Sequence, residues 1–376
     1  MNDDIKIFAE GVEEAALNQI NTLVATGIFS NSKMRIMPDV HQGEGCVIGF
    51  TANLKDKVIP NIVGVDIGCG VLVVKIGNVN IDYQALDNYI KNNIPSGFSV
   101  NKSFVGKEEK EFKEKVHELI YQQTHCFPCL DNPNRLVYSC GTLGGGNHFI
   151  EICIDDHNNK YLVVHTGSRN LGYQVALYYQ SLAISKCQNK RDKEGKQIPK
   201  DLCYLIDDDM ELYINDMKKC QTFAVYNRLL IINRITRFLG LDLEELPMFE
   251  SIHNYIGFDN IIRKGAISAY LDEELIIPIN MKDGCIIGIG KGNADWNYSA
   301  PHGAGRILSR RQAKKVLDLN AFKKEMAGIY TSSISYNTLD EAPMAYKPIN
   351  EIIKRIKDTV EIKSLIKPVY NFKAPQ

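Results

Sequence analysis

Five segments of this 376-residue chain place ligand or nucleophile side chains in turns rich in glycine or asparagine. GVDIGCG sets Asp66 and Cys69 three residues apart, just ahead of an apolar run. A hard carboxylate and a soft thiolate are thereby offered to one site, a mixture suited to a transition metal rather than to magnesium alone. GTLGGGNHFIEI delivers Asn147 and His148 out of a triple-glycine turn into a strand that also carries Glu151. VVHTGSRNLG ends a β-rich run on His165 and follows it with Ser168 and Arg169, a pair able to hold phosphate beside a metal. SIHNYIG adds His253 and Asn254, and SAPHGAGRILSR presents His302 ahead of Gly303 and Gly305, with Arg306 close behind.

Each residue also has a plainer reading. A single histidine more often satisfies a buried hydrogen bond, a lone cysteine packs as a small hydrophobe, and a triple glycine by itself says little about phosphate. Together they say more, because a scaffold has little reason to put so many ligand types on glycine turns. Two metal ions fit the set: Asp66, Cys69 and His148 around one, Cys69, His165 and His253 around the other, with the thiolate bridging. His302 is left over, and an imidazole with glycines close by is a competent nucleophile toward activated phosphorus. Metal ions would neutralise the phosphate oxygens during such an attack.

The elements that must position these residues read as α+β. Short β-rich runs at 46–54, 71–77, 149–155, 161–167 and 285–290 are bounded by Gly, Asp or Asn and predict central sheets. Apolar residues at helical spacing predict a helix over 107–123, and 205–239 is long enough for one helix or a helical hairpin. Strands and helices follow one another irregularly, which favours α+β over a repeating βαβ array. No solenoid repeat or Pro/Ser-rich linker divides the chain, so the expectation is a single domain over 1–376 with a helical insertion at about 170–240. The charge run 107–115 reads as a solvated helix face and 188–200 as a loop.

Composition narrows the partners. Forty-four basic against forty-five acidic residues give a formal charge of −1, so any nucleic-acid contact must come from a local patch. No RRM or KH signature is present, so RNA would be recognised by shape, backbone and terminus chemistry. The acidic start, MNDDIKIFAEG, and the absence of a long apolar window predict a cytoplasmic protein without membrane contact. Ten cysteines without a scaffold spacing read as buried thiols or metal ligands; Cys126 and Cys129 form a lone CFPC with no second pair, a structural feature.

MPDVHQGEG (37–45), VDIGCGV (65–71), GTLGGGNHFIE (141–151), HTGSRNLG (165–172), HNYIG (253–257) and PHGAGRILSR (301–310) resemble the signature blocks of the RtcB RNA-splicing ligases, in the family's order. EAPMAYK (341–347) and KPVYNFK (367–373) extend the resemblance along nearly the whole chain. It implies joining of RNA 3′-phosphate or 2′,3′-cyclic phosphate ends to 5′-hydroxyl ends, with GTP and two Mn2+ ions, through guanylate carried on a histidine. By position His302 matches that histidine, and Asp66, Cys69, His148, His165 and His253 match the manganese ligands. The implied guanylate contacts fall on Asn147, His148, Phe149, Ile150, Glu151, His253, Asn254, Pro278, Ile279, Asn280, Met281, Cys285, His302, Gly303, Ala304, Gly305, Tyr346 and Lys373. Arg169, Asp39 and His41 fall on substrate or phosphate. A monomer, with an accessory protein as a possible helper, is the expected form.

The chain departs from the family pattern at Gly68, where Asn is usual, at Leu72, where Arg is usual, and in PINMKDG (278–284) followed by Cys285, where a PGSMG-type loop and serine are common. These changes spare the metal and nucleophile positions and bear on substrate choice and GTP affinity. They resemble a bacterial branch of the family associated with RNA repair rather than tRNA splicing. Two other readings of the residues differ in testable ways. A metal-dependent phosphoesterase would need no GTP and gives His302 no task, while an RNA-end-binding accessory would bind termini without forming a guanylate adduct.

Overall fold

In the computed structural model, which describes residues 4–374, every apolar run bounded by turn residues becomes a strand. Ile48–Asn53, Gly70–Gly77, Phe149–Ile154, Lys160–Thr166 and Gly284–Gly290 take up the five predicted stretches. The largest sheet runs in the order Glu274–Asn280, Gly284–Gly290, Val360–Phe372, Phe149–Ile154, Lys160–Thr166, Gly70–Gly77, Met248–Ile252, with Tyr330–Thr331 added beside Val360–Phe372. Neighbours along that path are antiparallel. Its two edges are drawn toward each other: the Ile276 amide donates to Ser251 Oγ at 3.1 Å, so the sheet curls nearly closed.

Curling gives the sheet two buried faces, and alternation along each strand sorts residues between them. Val71, Val73, Phe149, Cys153 and Val163 meet Ile276, Cys285, Ile287 and Ile366 inside the curl. Leu72, Val74, Ile150, Ile152, Leu162 and Val164 face outward and pack on Ile231, Ile232 and Ile235 of the helix Asp207–Phe238. That helix is one continuous rod, not a hairpin, because its 32 residues contain neither Gly nor Pro. Three aspartates in its first turn and Arg237 in its last complement the helix dipole.

A five-stranded sheet, Ile5–Ile7, Met34–His41, Ile48–Asn53, Ile261–Lys264, Asn254–Ile256, and the pair Ala266–Ser268 with Ser299–Pro301 adjoin the large one. His253 is the single residue between Met248–Ile252 of one sheet and Asn254–Ile256 of the other. The helix predicted over 107–123 is Gly106–Glu118 continued by a π-turn, Leu119–Gln123. Most of its charges are exposed, but Glu109 is buried in a two-pronged pair with Arg234, at 2.9 and 2.8 Å. Among the described residues no helix is long and apolar enough to cross a membrane.

Candidate active site

Antiparallel register lines up the chemistry. Phe149 and Val71 both pair with His165, and Gly70 pairs with both Thr166 and Ile252. His148 therefore precedes one strand, His165 nearly ends the next, Cys69 precedes the third and His253 follows the fourth. Four ligand-type side chains form one row across the end of the sheet. The turns that feed this row are crowded: a Cβ on Gly167 would stand 2.2 Å from Asp66 Oδ1, so only glycine lets that carboxylate reach the row.

The long helix braces the row from behind. Arg228, fully buried, donates to the carbonyls of Gly68 and Thr166 at 2.9 Å each and is paired with Glu250 at 2.8 Å. Asn227 accepts from the amides of Gly141 and Thr142 and donates to the Gly167 carbonyl. One turn of helix thus ties together the glycine turns that carry Cys69, His148 and His165.

The donor set fits a pair of metal ions. His148 Nδ1 lies 2.9 Å from the Leu143 carbonyl and His165 Nδ1 lies 3.1 Å from that of Asn147. Carbonyls only accept, so both Nδ1 atoms carry hydrogen and both Nε2 lone pairs turn inward. His148 Nε2 then faces Asp66 Oδ2 at 3.0 Å and Cys69 Sγ at 3.5 Å. His165 Nε2 faces Cys69 Sγ at 3.2 Å and His253 Nε2 at 3.4 Å. Such convergence of electron-rich atoms is what cations reconcile, and Cys69 belongs to both triads. Burial, and then the neighbouring histidines, holds His165 and His253 well below the usual imidazole range, leaving neutral ligands. Burial pushes the Cys69 thiol well up, with Asp66 adding to the rise. A bound dication would reverse the thiol's preference.

His302 stands next to this pair, its ring centroid 4.8 Å from that of His253. Its Nδ1 is 2.7 Å from Oδ2 of Asp39, a fully buried carboxylate whose other oxygen has no hydrogen-bond partner. A carboxylate accepts, so Nδ1 donates and Nε2 keeps a free lone pair. His41 lies alongside, its Nδ1 2.9 Å from the Asp39 carbonyl, and burial lowers it to about 4, which keeps it neutral.

Beyond His302 opens a cavity of about 370 Å³, within the range of small-molecule sites. Asn147, Phe149, Glu151, Asn254, Pro278 to Met281, Gly303 to Gly305, Tyr346 and Lys373 all line it, as the resemblance implies. Lys373 Nζ reaches Glu341 Oε2 at 2.8 Å and the Asn147 carbonyl at 3.1 Å, and sits over the Phe149 ring. The Tyr346 hydroxyl donates to the same Glu341 oxygen at 2.6 Å. Burial acts to raise Glu341, but Lys373, Arg310 and Arg306 hold it down at about 2. Glu151 is the opposite case: burial pushes it up to about 7, although Asn371 and Lys373 oppose the rise.

Among the expected contacts, His148 stands in the row facing Asp66 and Asp39 lies behind His302, neither lining the cavity, and three more lie elsewhere. Ile150, between Phe149 and Glu151, points to the outer face of the sheet and is buried against the long helix, because successive strand residues alternate sides. Cys285 is buried beside Cys153 inside the curl and does not line the cavity. Arg169 sits on the far flank of the metal row with φ of 53°, donating to Thr142 Oγ1 and the Gly97 carbonyl at 3.2 Å each. Missed from the sequence were Glu341 and Arg310, which stood inside the quoted blocks EAPMAYK and PHGAGRILSR, and Asn227 and Arg228, which no turn or motif marked.

Known proteins resemble the chain along nearly its whole length. A family model described as tRNA-splicing ligase RtcB matches residues 19–374. The chain is 30% identical over 395 residues to "RNA-splicing ligase RtcB" of Escherichia coli (strain K12), covering 96% of this chain and 95% of that protein. To "tRNA-splicing ligase RtcB" of Nanoarchaeum equitans (strain Kin4-M) it is 26% identical over 442 residues, covering 94% and 91%. The family match spans every strand end that carries a ligand of the row and the His302 turn beyond it, and the chain belongs to the RtcB family.

Proposed function

We propose that this protein is an RNA ligase that joins a 3′-phosphate or 2′,3′-cyclic phosphate end to a 5′-hydroxyl end, using GTP and Mn2+. The observation that carries the reading is His302, beside the metal row and oriented by Asp39 at 2.7 Å. Asp66, Cys69 and His148 would hold one ion and Cys69, His165 and His253 the other; bound manganese supplies positive charge that neutralises phosphate oxygens. The residues do the rest. Glu151 accepts from the guanine edge, Phe149 and Tyr346 present aromatic faces, Lys373 donates to the base, and Asn147, Asn254, the 278–281 strand end and the Gly303–Gly305 backbone enclose the nucleotide.

His302 Nε2 attacks the α-phosphorus of GTP: an N–P bond forms and the P–O bond to pyrophosphate breaks. Nδ1 keeps its proton and donates it in the hydrogen bond to Asp39, whose charge offsets the positive charge on the substituted ring. An oxygen of the RNA 3′-phosphate then attacks the guanylate phosphorus, and the N–P electron pair returns to Nε2. Finally the 5′-hydroxyl oxygen attacks the 3′-phosphorus, GMP departs and the hydroxyl proton is released. A cyclic end is opened by water first. Arg169 and His41 bind phosphate on either flank, and RNA repair or tRNA splicing is the setting.

Incubation with α-labelled GTP and manganese, followed by denaturing electrophoresis, tests the reading. Label that stays on the denatured chain is expected. A chain that binds RNA termini yet never takes label would be an accessory protein and not a ligase.

A further inference from the structure

Inside the curl of the large sheet lies a second group of ligand-type residues. Glu151 and Cys153, two apart on Phe149–Ile154, point to the same side, and Cys285, the second residue of the strand Gly284–Gly290, comes across from two strands away. The intervening strand, Val360–Phe372, pairs Ile366 with Cys285, Pro368 with Cys153 and Asn371 with Glu151, and it is bulged between Pro368 and Tyr370. A carboxylate oxygen and the two sulfurs all lie within 4.8 Å of one another, with Cys153 Sγ 3.7 Å from Glu151 Oε2. All three residues are at most 2% exposed.

We propose that Glu151, Cys153 and Cys285 form a third metal site, separate from the Cys69-centred pair, for a thiophilic divalent cation of the zinc type. Two thiolates and one carboxylate at these spacings match three corners of a tetrahedron, the preference of a d¹⁰ ion, whereas manganese suits sets with fewer thiolates and more oxygen. The carboxylate keeps an oxygen for the ion: Oε1 is taken by the Asn371 amide at 2.6 Å, and Oε2 faces Cys153. Asn371 supplies an independent sign, since its own Oδ1 is buried with no hydrogen-bond partner beside this group. Such an atom is rare in a well-packed interior and marks an unmet polar partner.

Entry is from the nucleotide cavity, which Glu151 lines while the two cysteines sit behind it. Thiols and a carboxyl coordinate a cation only after giving up their protons. Metal binding displaces those protons, and affinity rises with pH. An occupied site also withdraws Glu151 from the cavity, so the ion competes with guanosine nucleotide. This last consequence rests on the nucleotide reading of the cavity, while the site itself needs no nucleotide.

The test uses Cd2+ as the probe, on the full chain carrying Cys69→Ser and kept reduced by a phosphine, with no nucleotide present. Thiolate-to-cadmium charge-transfer absorption is followed during titration, together with bound metal after dialysis. One bound Cd2+ with a two-thiolate band is expected, lost on adding Cys285→Ser and lost again with Cys153→Ser as an independent second variant. Circular dichroism confirms that each variant is folded. An unchanged band and unchanged bound metal in both folded variants would overturn the site. Failure of GTP labelling would sink the ligase reading and leave the cadmium result standing.

Discussion

Cys69 is the residue on which both proposed metal positions converge. Each histidine of the row reaches one triad, whereas the Cys69 sulfur is shared. Cys69→Ala is therefore expected to lower manganese affinity at both positions by more than the roughly 10–100-fold that follows loss of an outer partner, and to abolish sealing. Elemental analysis after dialysis decides it, and two retained ions with near-normal sealing would refute the bridge. Glu151 carries a pH signature. Its carboxyl is raised to about 7 by burial, and only the ionised form offers acceptors alone to the donors of a guanine edge. Guanosine nucleotide binding should tighten as pH climbs toward 7, by up to about tenfold per unit, and level off above it. The stability effect has the opposite sign: a carboxyl raised by folding contributes below its unfolded value and loses that contribution as pH rises through about 7. Glu151→Gln should flatten the binding profile, as read by fluorescence titration across pH 5.5–8.5, a range set roughly by one to two units about the raised value. A profile that stays sloped in that variant would place the titrating group elsewhere.

At the scale of elements, the family departure at Gly68 has a physical cause. Gly68 has φ of 68°, and a Cβ there would lie 2.8 Å from the Gln221 Cα of the long helix. Asn tolerates a left-handed backbone, but here its Cβ would push the helix that holds Arg228 against the row. Gly68→Asn is expected to cost about 1–3 kcal/mol in denaturant unfolding. Equal midpoints for the variant and the natural chain would show that the helix can move freely. Leu72, the other departure near Cys69, faces outward into the helix packing. These two positions show why some of the site was legible and some was not. The ligands announced themselves, because histidine, cysteine and aspartate beside glycines are chemically unusual. Asn227 and Arg228 did not, since polar residues in the middle of a long helix read as solvent-facing until the sheet it packs on is known. Ile150 and Cys285 were carried along by their neighbours, and only strand alternation and the curl of the sheet separate them from the cavity. The last strand gives a further test. Lys373 follows Val360–Phe372 and is held by Glu341 inside the cavity. A chain ending at Phe372 should fold but lose guanylylation, measured by retained label, whereas normal labelling would remove Lys373 from the nucleotide site.

The whole molecule brings together residues from Asp39 to Lys373, contributed by three sheets and braced by one helix. His253, at the joint between two sheets, is the member of the row that touches both His165 and His302. No short segment could form this arrangement alone, which is why the strand order and register remained beyond the sequence although the strands themselves did not. The central claim is that His302 serves as the nucleophile and the metal row serves the later displacement. One measurement separates these roles: sealing by His302→Ala of RNA carrying a preformed 3′-ppG end, beside RNA carrying only a 3′-phosphate. The account predicts that the variant binds manganese normally, takes no label from GTP and fails on the 3′-phosphate, yet still joins the preactivated end. A labelled adduct persisting in His302→Ala, or equal failure on both RNAs with metal bound, would contradict it.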